Sequence, residues 1–114
     1  MIKIYIVRIE LHNQQGEIYD RLRDNMIARG FSHIVLDTIT NTGWHQLPPA
    51  EYQKQGEELQ IDTVLGFATP IVVDTLIQYG CIGNPQELRD YAIVVTGDNG
   101  MRWKGLPSVP DPNR

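Results

Sequence analysis

Residues 2–37 read IKIYIVRIEL (Ile2–Leu11), HNQQGEIYDRLRDNMIARG (His12–Gly30) and FSHIVLD (Phe31–Asp37), and the reading of this stretch decides the fold. In the first segment Ile2, Ile4 and Ile6 alternate with Lys3, Tyr5 and Val7, which predicts a strand with one clearly apolar face and one mixed face. Past Arg8 the apolar positions move to Ile9 and Leu11, so the pattern asks for a bulge near Arg8 or for cover on the other face. A helix follows: Ile18, Leu22 and Met26 are spaced by four and Tyr19 widens their stripe. Asn13 is the expected N-cap. Gly30 is the expected left-handed stop, with Phe31 packing back on the last turn. Phe31–Thr40 then reads as a second strand, with Ile34, Leu36 and Thr38 on one face and His33, Val35 and Asp37 on the other.

Asn41-Thr42-Gly43 signals a turn into a long polar segment that contains Pro48-Pro49, and Pro48–Lys54 has the composition for one short helical turn. Gln60–Ala68 is expected to be a third strand. Thr69 as N-cap and Pro70 at the first helical position would open a helix over Ile71–Tyr79, ended by Gly80. Glu87–Thr96, built around YAIVV, is the expected fourth strand; Gly97–Gly100 is a turn, and MRWKG returns as a short fifth strand before a proline-rich, extended tail. This order predicts an α+β, ferredoxin-like βαββαβ domain: a four-stranded antiparallel sheet with two helices on one face. The domain is expected over residues 1–99, with 100–114 as a C-terminal extension carrying an extra edge strand and the tail. An uncovered sheet face or edge invites pairing, so a homodimer is expected.

Composition limits the possibilities. A chain of 114 residues, 41% hydrophobic and 21% charged, belongs among ordinary globular proteins with one modest core. No apolar run approaches the ~20 residues of a membrane span, and Met1 leads directly into an alternating strand rather than a signal sequence. Cys81 is the single cysteine, which excludes an intrachain disulfide and fits a reducing compartment; a cytoplasmic location is expected, and the thiol is expected to pack just beyond its helix. The net charge of −4 argues against non-specific coating of nucleic acid. Up to residue 40, however, Lys3, Arg8, Arg21, Arg23 and Arg29 balance Glu10, Glu17, Asp20, Asp24 and Asp37, so the first half is the better place for contact with a polyanion.

Three residues in that half are candidates for chemistry. Glu10 lies where the first strand feeds a loop, a common place for reactive groups. Arg21 and Arg23, at ~100° per residue, point roughly 200° apart and flank the Leu22 stripe. Spacing also pairs Glu17 with Arg21 and Asp20 with Arg23, surface ion pairs worth under ~1 kcal/mol. Trp44, His45 and Tyr52 are potential stacking platforms for unpaired bases, although closing over a core edge is the commoner use of such a tryptophan. His12, His33 and His45 stand too far from other ligands to suggest a metal site.

The run IYIVRIE (Ile4–Glu10), followed by IYDRLRDNMIARGFSHIVLD (Ile18–Asp37), is similar to the GhoS antitoxin family over residues 4–37. The shared features are a strand with an acid at its end, an Arg-Leu-Arg pair and methionine on the helix, and a Phe-Ser…Ile-Val…Asp strand. The resemblance implies a ferredoxin-like fold close to the small CRISPR-associated adaptation nuclease. It also implies a sequence-preferring endoribonuclease of antitoxin type that cleaves single-stranded mRNA, in the family the message of a small membrane toxin. Glu10 takes the place of the strand-end carboxylate, here glutamate rather than aspartate; Arg21 and Arg23 take the places of helix arginines proposed to act on RNA. Arg23 is the first choice for the chemistry, Arg21 a Glu17 partner or a contributor at a dimer groove, and Arg8 and Trp44 are the RNA-binding candidates.

The chemistry is consistent with those residue types. RNA cleavage needs an acceptor for the 2′-hydroxyl proton and cationic donors where charge builds on phosphate, a task that suits the planar fork of arginine. One carboxylate per chain is thin for two-metal catalysis, so no cofactor is expected; Mg2+ would enter only if a dimer joined two copies of Glu10. The alternative is a non-catalytic module that binds RNA or a protein partner through its sheet and tail. Convergence of Glu10, Arg21 and Arg23 on one exposed surface would favour the nuclease.

Overall fold

A computed structural model describes residues 2–37, 43–97, 100–108 and 110. Residues 38–42, with most of the expected turn at 41–43, residues 98–99 of the expected turn at 97–100, and much of the tail lie outside the described residues. Among the described residues the chain is a mixed α+β fold with two helices and antiparallel strands. Strand β1 (Ile2–Leu11) is central: it pairs antiparallel with β4 (Glu51–Glu57) from Ile2↔Glu57 to Arg8↔Glu51, and with β5 (Tyr91–Gly97) from Ile6↔Thr96 to Leu11↔Tyr91. A further strand, β6 (Gly100–Lys104), extends the β5 edge. The register runs through Arg8 without a break, so of the two alternatives the bulge is absent there and cover of Ile9 and Leu11 on the other face is found.

The inward face of β1 is the reverse of the expected one. Tyr5, Val7, Ile9 and Leu11 are buried, whereas Ile2 and Ile4 are 60% and 50% exposed. The period of two holds over the whole strand, and the later apolar pair, Ile9 and Leu11, fixes which parity faces the helices. Arg8 and Glu10 therefore project from the open face.

Helix α1 (Glu17–Ala28) buries Ile18, Leu22 and Met26, as their spacing requires. It starts after Gly16, which has φ 70° and supplies no side-chain cap; Asn13 sits further back in the turn with φ 61°, so it is not the N-cap. Its end matches the expected stop in detail. Gly30 adopts φ 91° and its N–H donates to the Ile27 carbonyl, while the Phe31 N–H donates to that of Met26. This is the Schellman arrangement, and Phe31 and Met26 are both buried.

The chain then begins β2 (Ile34–Asp37) through a single bridge beside β4. Ser32 and Gln53 exchange both backbone hydrogen bonds, at 2.9 and 2.7 Å, and the Gln53 side-chain amide donates to the Ile34 carbonyl. Beyond that bridge β2 leaves the main sheet and pairs with β3 (Gly43–Gln46) as a separate two-stranded ribbon.

Two expectations fail in the middle of the chain. Glu51–Glu57 is a strand rather than a helical turn, and Gln60–Ala68 is no strand, because Ile61–Tyr79 forms one helix, α2. The expected four-stranded sheet built from residues 31–40 and 60–68 is accordingly not seen. In α2, Val64, Leu65, Ala68, Ile71, Val72, Thr75 and Leu76 are buried, a helical period that runs straight through Pro70. Pro70 lies inside the helix instead of opening it. The carbonyl it leaves without a donor belongs to Gly66, and both residues are on the exposed side, where water can satisfy it. The Thr69 hydroxyl donates back to the Leu65 carbonyl. By length and composition α2 could cross a membrane, yet its buried stripe joins the core cluster with both α1 and the inward residues of β1. The helix ends at Gly80 as expected, but the left-handed residue is Cys81, with φ 57°, and its thiol is exposed rather than packed.

Candidate functional site

The two arginines of α1 have different surroundings. Arg21 donates to Glu17 at 3.2 Å and lies 5.2 Å over the ring of Tyr79, so it faces α2. Arg23 turns to the opposite flank. Its guanidinium is 3.6 Å from Asp20 and 3.8 Å from Asp24, contacts too long for a strong hydrogen bond. It lines a cleft of about 110 Å³ together with Tyr19, Asp20, His33, Tyr52 and the Pro48-Pro49 segment.

The walls of that cleft are fixed by backbone bonds. The Leu47 N–H donates to the His33 carbonyl at 2.7 Å, holding the linker against the start of β2. The Glu51 N–H closes a turn on the Pro48 carbonyl around Ala50, whose φ is 66°, and the Ile9 N–H donates to the Ala50 carbonyl. Tyr19 closes the other side: its hydroxyl accepts from the Leu11 N–H at 3.0 Å and donates to the Leu11 carbonyl at 3.2 Å. Tyr52 forms the floor at 2% exposure. Burial pushes its hydroxyl up to about 12, although the charge of Arg23 pulls the other way, so it stays protonated and is no proton acceptor at neutral pH.

Glu10 does not reach this cleft's lining. It lies with Arg8 in a neighbouring, shallower depression of about 320 Å³ that shares Tyr19, Pro49 and Ala50 with the first. The Pro49-Ala50 segment is thus common to the two sites, Arg23 in one and Arg8 with Glu10 in the other. Among the described residues, neither Arg8 nor Glu10 has an ion-pair partner. The convergence of Glu10, Arg21 and Arg23 that would favour a nuclease is not found: Arg23 and Glu10 occupy adjoining clefts, Arg21 belongs to neither, and both arginines lie beside carboxylates of their own helix.

Trp44 is 63% exposed on β3 and does not close over the core edge. His33 and Tyr19 are the residues that sequence reasoning left out of the site. His33 had been indistinguishable from any half-exposed strand residue, because the linker that brings it to Arg23 returns from over ten residues away. Among the described residues no group of three His, Cys, Asp or Glu side chains is placed to hold a metal ion. The chain has no match among protein-family models, curated proteins or solved structures.

Proposed function

We propose that this protein is an antitoxin-type endoribonuclease acting on single-stranded mRNA, with the Arg23 cleft as its reaction site. The observation that carries this reading is that Arg23 and His33 line one walled cleft, within the segment that resembles the GhoS family. A ferredoxin-like frame is part of the proposal: a helix links β1 to β2, which begins beside β4, and β5 returns to the other side of β1.

In this scheme the Arg23 guanidinium holds the scissile phosphate and stabilises the charge that develops on its oxygens. The imidazole of His33 accepts the proton of the 2′-hydroxyl as that oxygen attacks phosphorus. The P–O5′ bond breaks, and the departing 5′-oxygen takes a proton from solvent. The products carry a 2′,3′-cyclic phosphate and a 5′-hydroxyl. Arg8 and Glu10 contact the strand beyond the shared Pro49-Ala50 segment, and exposed Trp44 offers a stacking face for an unpaired base. The homodimer belongs to the same proposal, joined through the open sheet face that carries Ile2 and Ile4. A solution mass equal to one chain would remove the dimer without touching the cleft.

The test is to incubate purified protein with single-stranded RNAs in the presence and absence of EDTA and to analyse the ends. Cleavage that persists in EDTA, leaves cyclic phosphate and is lost in Arg23→Ala is the expected result. Cleavage by Arg23→Ala equal to wild type would reject the site. A second reading, RNA binding without turnover, is favoured by the two carboxylates beside Arg23, which compete with phosphate for its charge. It predicts Arg23-dependent binding and intact RNA.

A further inference from the structure

A third concave surface lies at the far end of α1, built from three elements. Arg29 follows the end of α1, Lys54 projects from β4, and Phe67 and Ile71 belong to α2; together they line a recess of about 190 Å³. Phe67 is 52% exposed although it sits on the most apolar helix of the chain, and it is not part of the core cluster. The Lys54 ammonium lies 6.0 Å from its ring centroid and 5.3 Å from that of Phe31.

We infer that this recess is a nucleotide subsite, in which a base of single-stranded RNA stacks on Phe67 and the adjoining phosphate meets Lys54 and Arg29. The inference rests on the RNA reading above and extends it to the length of strand engaged. A structural role explains only part of the cluster. The last turn of α1 has no basic residue of its own, and Lys54 supplies the missing cation by donating to the Gly30 carbonyl at 3.2 Å. That bond uses one of three ammonium donors. Arg29 is 3.7 Å from Asp74, both more than half exposed, so this pair is screened and exchangeable for phosphate. Neither contact accounts for a half-exposed aromatic ring that shares one recess with two cations, the combination that holds single strands without regard to sequence.

Arg23 and Arg29 are six residues apart, about 9 Å along the α1 axis but roughly 240° around it, with Arg29 on the α2 side beside Asp74. One strand joining cleft and recess must therefore round the end of α1, a path longer than the axial rise. RNAs of about ten residues should therefore fill both the Arg23 cleft and the Phe67 recess, whereas a trinucleotide should occupy the cleft alone.

Fluorescence anisotropy with 2′-O-methyl oligouridylates tests this, since they cannot be cut through a 2′-oxygen. Phe67→Ala should bind the ten-residue strand about tenfold more weakly and the three-residue strand as wild type does. Lys54→Gln should make the salt dependence of ten-residue binding shallower by about 0.7 in log–log slope, the loss of one phosphate contact. Unchanged ten-residue binding by Phe67→Ala, with its melting temperature intact, would overturn the subsite and leave the Arg23 reading standing. Equal weakening of both lengths would also overturn it, as would competition by polyglutamate at matched charge, which would assign the recess to an acidic protein. Absence of RNA binding by the wild type would overturn the RNA reading and the subsite together.

Discussion

The two flanks of α1 carry the same residue type two positions apart and present it to different surroundings. On one flank Arg21 is followed at i+4 by Asn25, and both reach α2: Arg21 lies over Tyr79, and Asn25 donates to the Thr75 hydroxyl at 2.8 Å. On the other flank Tyr19 and Arg23, also four apart, meet β1 and the linker before β4. The first flank joins two helices, and Arg21 lies outside both the Arg23 cleft and the Glu10 depression. The second borders a loop that cannot pack flat, because it contains Pro48-Pro49 and a left-handed Ala50. A cation becomes available to a ligand through what lies opposite it, and the sequence of α1 alone does not say which flank meets what.

Four substitutions probe that contrast. The largest effect is expected at Leu22, fully buried between the flanks. Leu22→Ala should cost about 3 kcal/mol in denaturant unfolding and weaken both sides at once. A loss confined to RNA activity would show that the helix is not pinned there.

Tyr52→Phe sharpens the cleft side through pH. With the folded value pushed to about 12 from an ordinary 10.0, the unfolded chain ionises first as pH rises. Stability is full below pH 10 and declines between 10 and 12, by roughly 2 to 3 kcal/mol for the full separation. Tyr91 is raised as well, chiefly by burial, and adds in the same direction. The Phe variant should lose most of the alkaline decline; an identical decline in both proteins would contradict the burial argument.

On the α2 side, Asn25→Ala removes the donor to Thr75, whose hydroxyl is fully buried and already donates to the Ile71 carbonyl. A loss of about 1 to 2 kcal/mol is expected, with RNA activity retained. The smallest effect belongs to Arg21→Ala, which removes an exposed ion pair and a ring contact. Its stability should change by under ~1 kcal/mol, as thermal melts at low and high salt would show.

The opening βαβ stretch was largely legible because its signals are local. Ile18, Leu22 and Met26 mark the buried side of α1, and Gly30-Phe31 ends it in the expected motif. The parity of β1 was not, since Ile2, Ile4 and Ile6 mimic a core face near the start while Ile9 and Leu11 belong to the true one. β4 was hidden because QKQGE has no β-branched residue; its place is secured by the ladder to β1 rather than by its own composition. In α2, Thr69-Pro70 resembled a helix start, but the proline sits on the exposed side, where water can satisfy the freed Gly66 carbonyl. Of the site, the division of Arg23 from Arg21 followed from helical geometry, whereas the choice of Arg23 rested on the family resemblance. The cleft around Arg23 did not, because His33 and Pro48-Pro49 arrive through pairing between distant segments.

The most direct measurement compares Arg23→Ala with Arg21→Ala in metal-free cleavage of one single-stranded RNA. Arg23→Ala should cut about a hundredfold more slowly than wild type, as expected when a donor to the developing phosphate charge is removed, and Arg21→Ala should stay within about threefold. Equal losses in the two variants, a larger loss in Arg21→Ala, or no cleavage by the wild-type protein would contradict it.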